Sequence, residues 1–303
     1  MSLRRIWQSA LSECLGAIRS RRAIVILVLY LVFSLLGMNG SITVLGKMEE
    51  QLTEVLQLES GEGGKSGVVS ATVWKSKPFQ KMAKRMFEDS LVYDDICGKH
   101  PAELIYAWFA FLCVPLLTIL IAGNRVADDL GSGSVRYMLT RVTRLEWSLG
   151  KYVGLALMMF AGLLLGALAG WITAAVRLGG ADIAALMPAM LGWMLKAWVL
   201  SLAWLGFALG VSHLFRSGAK ALALSIVLMV VWGAAPKILA YLGTREGFVA
   251  KLSVLTRLFP GGVDGALWRT SFAPVATTSL WLLMLGLLYL SAGYAVFARR
   301  DAR

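Results

Sequence analysis

The most suggestive string in the chain is LESGEGGKSG, residues 58–67. A phosphate-binding loop reads Gly, four residues, then Gly-Lys-Ser/Thr, so that backbone amides and a lysine wrap the phosphates. Gly64-Lys65-Ser66 supplies the second half, but Glu59 stands where the first glycine belongs and would repel phosphate. Such a loop also follows a strand and opens a helix. Here the preceding residues have helical periodicity and GVVSATVW, which follows, is strand-like. The string reads as a flexible joint. Other chemistry is equally sparse. His100 and His213 fall on opposite expected sides of a membrane, and neither HExxH nor GxSxG occurs. Asp94-Asp95 and Asp128-Asp129 are adjacent pairs, the usual pattern of solvated loop charges. Cys14, Cys97 and Cys113 show no metal-ligand or redox spacing. No catalytic, cofactor-binding or metal site is assigned, and the chain is not expected to be an enzyme by itself.

The elements that carry these residues are membrane spans. Of 303 residues, 58% are hydrophobic, and the mean hydropathy is +0.69. Six runs, near 23–44, 101–123, 152–176, 188–213, 219–242 and 274–298, are long enough to cross about 30 Å of hydrocarbon. Backbone groups in lipid must be satisfied internally, so each is read as a helix. The fold class is an all-α polytopic membrane protein of six transmembrane helices, with an amphipathic N-terminal interfacial helix and a small extracytoplasmic insertion between spans one and two. Gly162, Gly166 and Gly170, four residues apart, suit close helix contact. Lys196 interrupts the fourth span. It reads either as a snorkelling side chain near the outer interface or as a translocation-path charge.

Basic residues set the orientation. With both termini cytoplasmic, the inner segments 1–22, 124–151, 214–220 and 299–303 carry 15 Lys/Arg against 5 Asp/Glu. The formal net charge of +12 is thereby explained without nucleic acid. Residues 1–22 form the interfacial helix and 23–303 the transmembrane domain. The latter includes extracytoplasmic segments 45–100 and 243–273 and a cytoplasmic loop, 124–151. In the head, Leu3, Ile6, Trp7, Ala10, Leu11, Cys14, Leu15 and Ile18 recur at helical spacing. Arg19, Arg21 and Arg22 separate it from the first span, which favours a helix lying among lipid headgroups, anchored by Trp7, over an extended first span or a topogenic signal. Residues 45–100 contain two helix-like stretches around the Gly-rich string. In 243–273, short re-entrant or surface helices punctuated by Pro236 and Pro260 are expected, with Trp268 and Phe272 at the interface.

The most informative segment is AGNRVADDLGSGSVRYMLTRVTRLEWSLGKY, residues 122–152. A passive connection between spans needs far fewer residues. Val135, Met138, Leu139 and Val142 repeat at helical spacing, and Arg136, Arg141 and Arg144 take the solvent side. Either the segment is a positive loop holding topology, or it is a helical docking surface for a soluble partner.

At this point the chain resembles the permease subunits of type-2 ABC exporters. Those proteins follow the second span with an acidic residue, Gly-Thr, a Leu-rich helix, Ser-Arg and Gly-Lys. Asp129, Gly133-Ser134, Met138-Leu139, Thr143-Arg144 and Gly150-Lys151 occupy these places. Asp replaces the usual Glu, and Arg141 stands where many members have Pro. SHLFRSGAKALALS (212–225) and the terminal FARRDAR extend the likeness over the whole chain. The resemblance implies a permease dimer, of identical copies or homologues, in a bacterial cytoplasmic membrane and in contact with lipid. It implies a separate P-loop ABC ATPase that holds ATP and Mg, so that this chain binds no cofactor. By the same resemblance the ATPase-coupling interface comprises Asp128, Asp129, Gly133, Ser134, Arg136, Arg141 and Arg144. The interfacial helix contributes Ile6, Trp7, Leu11 and Leu15. Two other classes remain in view: a structural or regulatory membrane subunit acting through its outer segment, and an ion-coupled carrier dependent on Lys196.

Overall fold

A computed structural model describes residues 2–56, 95–96, 99–178, 183–243 and 253–299. The phosphate-loop look-alike at 58–67, the strand-like GVVSATVW and the second helix-like stretch of the 45–100 insertion lie outside the described residues. Those described are helical, with no strand among them. In chain order the helices are α1 (Leu3–Arg19), α2 (Arg21–Leu56), α3 (Pro101–Ala122), α4 (Arg125–Ser132), α5 (Val135–Leu139), α6 (Arg144–Leu178), α7 (Ile183–Ser212), α8 (Gly218–Gly243) and α9 (Phe272–Arg299). Three short 3₁₀ turns between Ser253 and Trp268 precede α9. Six helices, α2, α3, α6, α7, α8 and α9, are long and apolar enough to cross a membrane. They match the six runs expected from the sequence to within a few residues at most ends. The protein is a multi-pass membrane protein.

The helix ends follow local chemistry. His100 caps α3: its Nδ1 accepts from the Ala102 amide at 3.1 Å, and Glu103 Oε1 accepts from the His100 amide at 3.2 Å. The sequence TRLE at 143–146 makes a second reciprocal cap for α6. The Thr143 amide donates to Glu146 Oε2 at 3.0 Å and the Glu146 amide to Thr143 Oγ1 at 3.3 Å. Only Ser20, in an extended conformation, separates α1 from α2. Pro236 does not end a helix as expected: α8 runs on to Gly243, while Pro260 opens the second 3₁₀ turn.

The central span is α7, with α3, α6 and α9 packed around it. Its seam with α9 is built from bare backbone. A Cβ at Gly210 would lie 2.5 Å from the Tyr289 carbonyl oxygen, and one at Gly286 2.5 Å from the Leu202 carbonyl oxygen. Gly206 faces Gly286, and Gly210 faces Gly293. The Gly162–Gly166–Gly170 row works similarly: Leu27 and Tyr30 of α2 rest on the first two, and Tyr106 of α3 faces the third. Two hydrogen bonds pin α6 to α7, from Tyr152 Oη to the Leu202 carbonyl (3.1 Å) and from Trp198 Nε1 to the Ala156 carbonyl (2.8 Å). By contrast α2 and α8 leave most of their apolar surface uncovered within the monomer.

Candidate functional site: the polar end of the bundle

The residues singled out for coupling gather at one end, around α1, α4, α5 and the start of α6. Helix α1 has three faces rather than two. Ile6, Ser9, Ala10 and Ala17 are buried, mainly on α6. Gly150 and Gly154 let the two backbones meet: a Cβ at Gly154 would lie 2.7 Å from the Ala10 carbonyl oxygen, and one at Gly150 would run into Ser9. Trp7, Leu11, Leu15 and Ile18 form an exposed apolar face. Arg4, Gln8, Ser12 and Arg19 occupy an exposed polar strip. Thus Ile6 is a packing residue, whereas Trp7, Leu11 and Leu15 are exposed.

The long connection after α3 is a jointed hairpin, and the helical spacing read over 135–142 is realised as a short helix, Val135–Leu139. Gly133 breaks it at φ +75°, a left-handed conformation that favours glycine. A second break at 140–143 precedes the cap of α6. The short helix α5 lies at the tip. Tyr137 is 81% exposed there, and Met138, Arg136 and Arg141 are exposed beside it. Val135 is buried, and Ser134 Oγ donates to the Asp129 carbonyl at 3.3 Å, which ties α5 back to α4.

The remaining coupling candidates do not point out with Arg136 and Arg141. Arg144 Nη1 donates to the Ala298 carbonyl at 3.0 Å and lies over the Phe297 ring at 5.5 Å, capping the end of α9. The expectation that Arg144 decorates a free solvent face is corrected accordingly. Asp128 and Asp129 are not a simple solvated pair either. Asp128 accepts from Asn124 Nδ2 at 2.6 Å and rests against Gly218, where any Cβ would meet its carboxyl. Asp129 turns inward to Lys151, Oδ2 to Nζ 2.7 Å. Lys151 is 3% exposed and also reaches Glu13 Oε2 at 2.6 Å. Sequence reasoning counted Lys151 only as part of a motif and missed its partner Glu13. Beneath it, Ser148 and His213 are 3.1 Å apart, both buried. His213 Nδ1 is 2.7 Å from the Leu209 carbonyl, which can only accept, so Nδ1 carries the proton and Ser148 donates to Nε2. The pair joins α6 to the end of α7.

At the opposite end, Lys196 Nζ donates to the Arg269 carbonyl at 2.8 Å and stands over the Trp193 ring at 4.1 Å. Trp193, Trp268 and Phe111 form an aromatic cluster there, so Trp268 packs inward, while Phe272 is exposed. Lys196 thus fastens the turn segment to α7. Asp95 accepts from the Thr270 amide at 3.1 Å and from its hydroxyl at 2.8 Å, and these bonds hold its carboxyl below the usual range. Burial pushes Asp264, at the head of the third turn, up to about 6. Among the described residues, no three His, Cys, Asp or Glu side chains converge as metal ligands.

The family profile described as "ABC-2 family transporter protein" matches residues 7–302. The chain belongs to the ABC-2 transporter family. No curated protein matches the chain significantly. The match takes in α1 from Trp7 onward, all six spans and the hairpin. This ABC-2 protein is a membrane permease component of an ABC transporter, and its family as a whole works with partner ATPase subunits.

Proposed function

We infer that the chain is the permease of an ATP-driven exporter. It pairs with a second permease, identical or homologous, to form the translocation path. A separate P-loop ATPase carrying ATP and Mg drives it from the end that bears α1, α4 and α5. That end is cytoplasmic, as are both termini, in a bacterial inner membrane; the excess of Lys and Arg in its segments supports this. The observation that carries the reading is the tip of the hairpin. Tyr137 and Met138 are exposed at a polar end, between Arg136 and Arg141. Tyrosine and arginine are among the residues enriched in interface hot spots. Arg136 and Arg141 are the contact residues of the proposed coupling set. Asp128, Asp129, Gly133, Ser134 and Arg144 shape the support on which they stand. Catalysis would reside on the ATPase.

The test is isolation of the intact complex from its native membrane and identification of its subunits. The P-loop ATPase recovered is then titrated against the permease in nanodiscs. Truncating a hot-spot aromatic costs at least about 2 kcal/mol, so Tyr137→Ala is expected to weaken binding roughly 30-fold. Normal ATP-dependent transport by the purified chain alone would sink the reading. So would undiminished binding by Tyr137→Ala and Arg141→Glu together.

A further inference from the structure

The backbone of α4 packs chiefly on α3, α7 and α8, whereas α1 packs chiefly on α6. Between these two groups runs a chain of charged side chains. Lys151 of α6 lies between Glu13 of α1 (2.6 Å) and Asp129 of α4 (2.7 Å). Arg125 of α4 approaches the other Glu13 oxygen at 4.0 Å and donates to Ser20 Oγ at 3.2 Å, at the α1–α2 joint. Two cations face two carboxylates, and the Trp147 ring closes the remaining side of the ammonium at 5.2 Å. A lysine this buried is tolerated because both carboxylates reach it, and removing either leaves charge uncompensated. Asp129 lies in the last turn of α4 before the hairpin tip, and Ser134 is bonded to its carbonyl. The ammonium therefore joins the last turn before the tip to α1 and α6.

We propose that Lys151 is a positioning residue of the permease: by bridging Glu13 and Asp129 it locks the α4–α5 hairpin to α1, so that both move as one body. The lock itself is independent of any partner. Its consequence for transport rests on the docking reading above. Coupling free energies of this kind span roughly 5–150-fold in equilibrium terms. Loss of the lock is set at about tenfold fewer substrate molecules moved per ATP, with ATPase capture retained. Lys151→Arg keeps a cation between the carboxylates and is expected to preserve most of the coupling. Lys151→Met removes it.

The lock is read by electron–electron distance measurement on the full-length chain in nanodiscs. Spin labels are placed at Gln8→Cys on α1 and Ser132→Cys on α4, both exposed positions, with Cys14, Cys97 and Cys113 replaced by alanine. One narrow distance is expected with Lys151 or Arg present, and a broadened distribution with Met. If Lys151→Met fails to fold, Asp129→Asn serves, since its carboxyl is partly exposed and the Glu13–Lys151 pair survives. A distribution as narrow in both neutral variants as in the parent overturns the lock. A broadened distribution with unchanged transport per ATP overturns the positioning role. If the parent chain captures no P-loop ATPase, the docking reading fails, and the distance result still decides the lock.

Discussion

Replacing Gly210 by alanine adds one methyl group at the place where α7 and α9 touch. The new Cβ would lie 2.5 Å from the Tyr289 carbonyl oxygen, 3.1 Å from the Tyr289 carbonyl carbon and 3.8 Å from the Leu290 nitrogen. Ordinary van der Waals contact begins near 3.4 Å. The obstacles are backbone atoms, so no side chain can swing away, and the helices must separate locally by about 1 Å. A gap of that size forfeits a quarter to a half of each contact's attraction. Phe207, Leu285 and Leu290 are buried on these two helices. If two such side chains, each with some 50 contacts of about 0.1 kcal/mol, lose a quarter of their attraction, the cost is about 2–3 kcal/mol. The same range is typical of overpacked cores. The alanine's better helix propensity offsets little of this, because spans stay largely helical in detergent-denatured states. Reversible unfolding of the purified chain in mixed micelles, titrated with a denaturing detergent, measures the difference. Gly233→Ala, in the open with nothing within 4 Å of its Cβ, is the control and is expected to be neutral. Gly293→Ala opposes Gly210 directly. The double variant is therefore expected to cost clearly less than the two single losses combined, since the helices are already apart. Equal stability of Gly210→Ala and Gly233→Ala would refute the close-contact argument.

Arg144→Met removes a charged hydrogen bond to the Ala298 carbonyl and the cation over Phe297. A loss of about 1.5–3 kcal/mol is expected, with the last turn of α9 exchanging amide hydrogen fastest. Two carboxyls at the end opposite α1, those of Asp95 and Asp264, predict opposite pH dependences in separate windows. Asp264, raised to about 6 by burial, binds its proton more tightly when folded. The turn segment is therefore expected to gain hydrogen-exchange protection as pH falls from about 6 towards 4, and Asp264→Asn to abolish that gain. Asp95, held low by Thr270, stabilises above its unfolded value, and that contribution is lost as pH falls below about 4. Asp95→Asn should flatten the lower limb alone.

The six spans were legible because apolar runs of this length admit few other readings. The Gly162–Gly166–Gly170 row was legible for a similar reason: small residues at one helical interval announce contact without naming the partner. The Gly206–Gly210 and Gly286–Gly293 seam carries the same signal on both partners, yet which pair of glycine rows meets is a tertiary fact. The head shows the limit of periodicity. Ile6, Trp7, Ala10 and Leu11 all lie in one apolar arc, so spacing alone merged the face that packs on α6 with the face left open. Ser9 and Ala10 opposite Gly150 and Gly154 were the finer signal, and it becomes readable only once α1 and α6 are known to be neighbours. The TRLE cap at 143–146 was readable in the chain itself and marks the true start of α6, eight residues before the apolar run. Lys151 could not be found that way, because its partners Glu13 and Asp129 come from distant parts of the sequence. Arg144 misled by its type: an arginine in a polar loop looks solvated until the end of α9 arrives beside it.

Helix α2 has one more consequence. It runs unbroken from Arg21 to Leu56, although its apolar window ends at Val44. Its first turn starts at the Ser20 joint, where Arg125 donates to the serine hydroxyl. At 1.5 Å per residue the 36-residue rod is about 54 Å long, and roughly 25 Å of it lies beyond Asn39. The helix is thus held against α6 and α3 over its first half, through Leu27, Tyr30, Gly37 and Asn39, and only its last turns extend beyond the apolar window. Any partner that meets those last turns therefore meets a rod braced from within the bundle rather than a free loop.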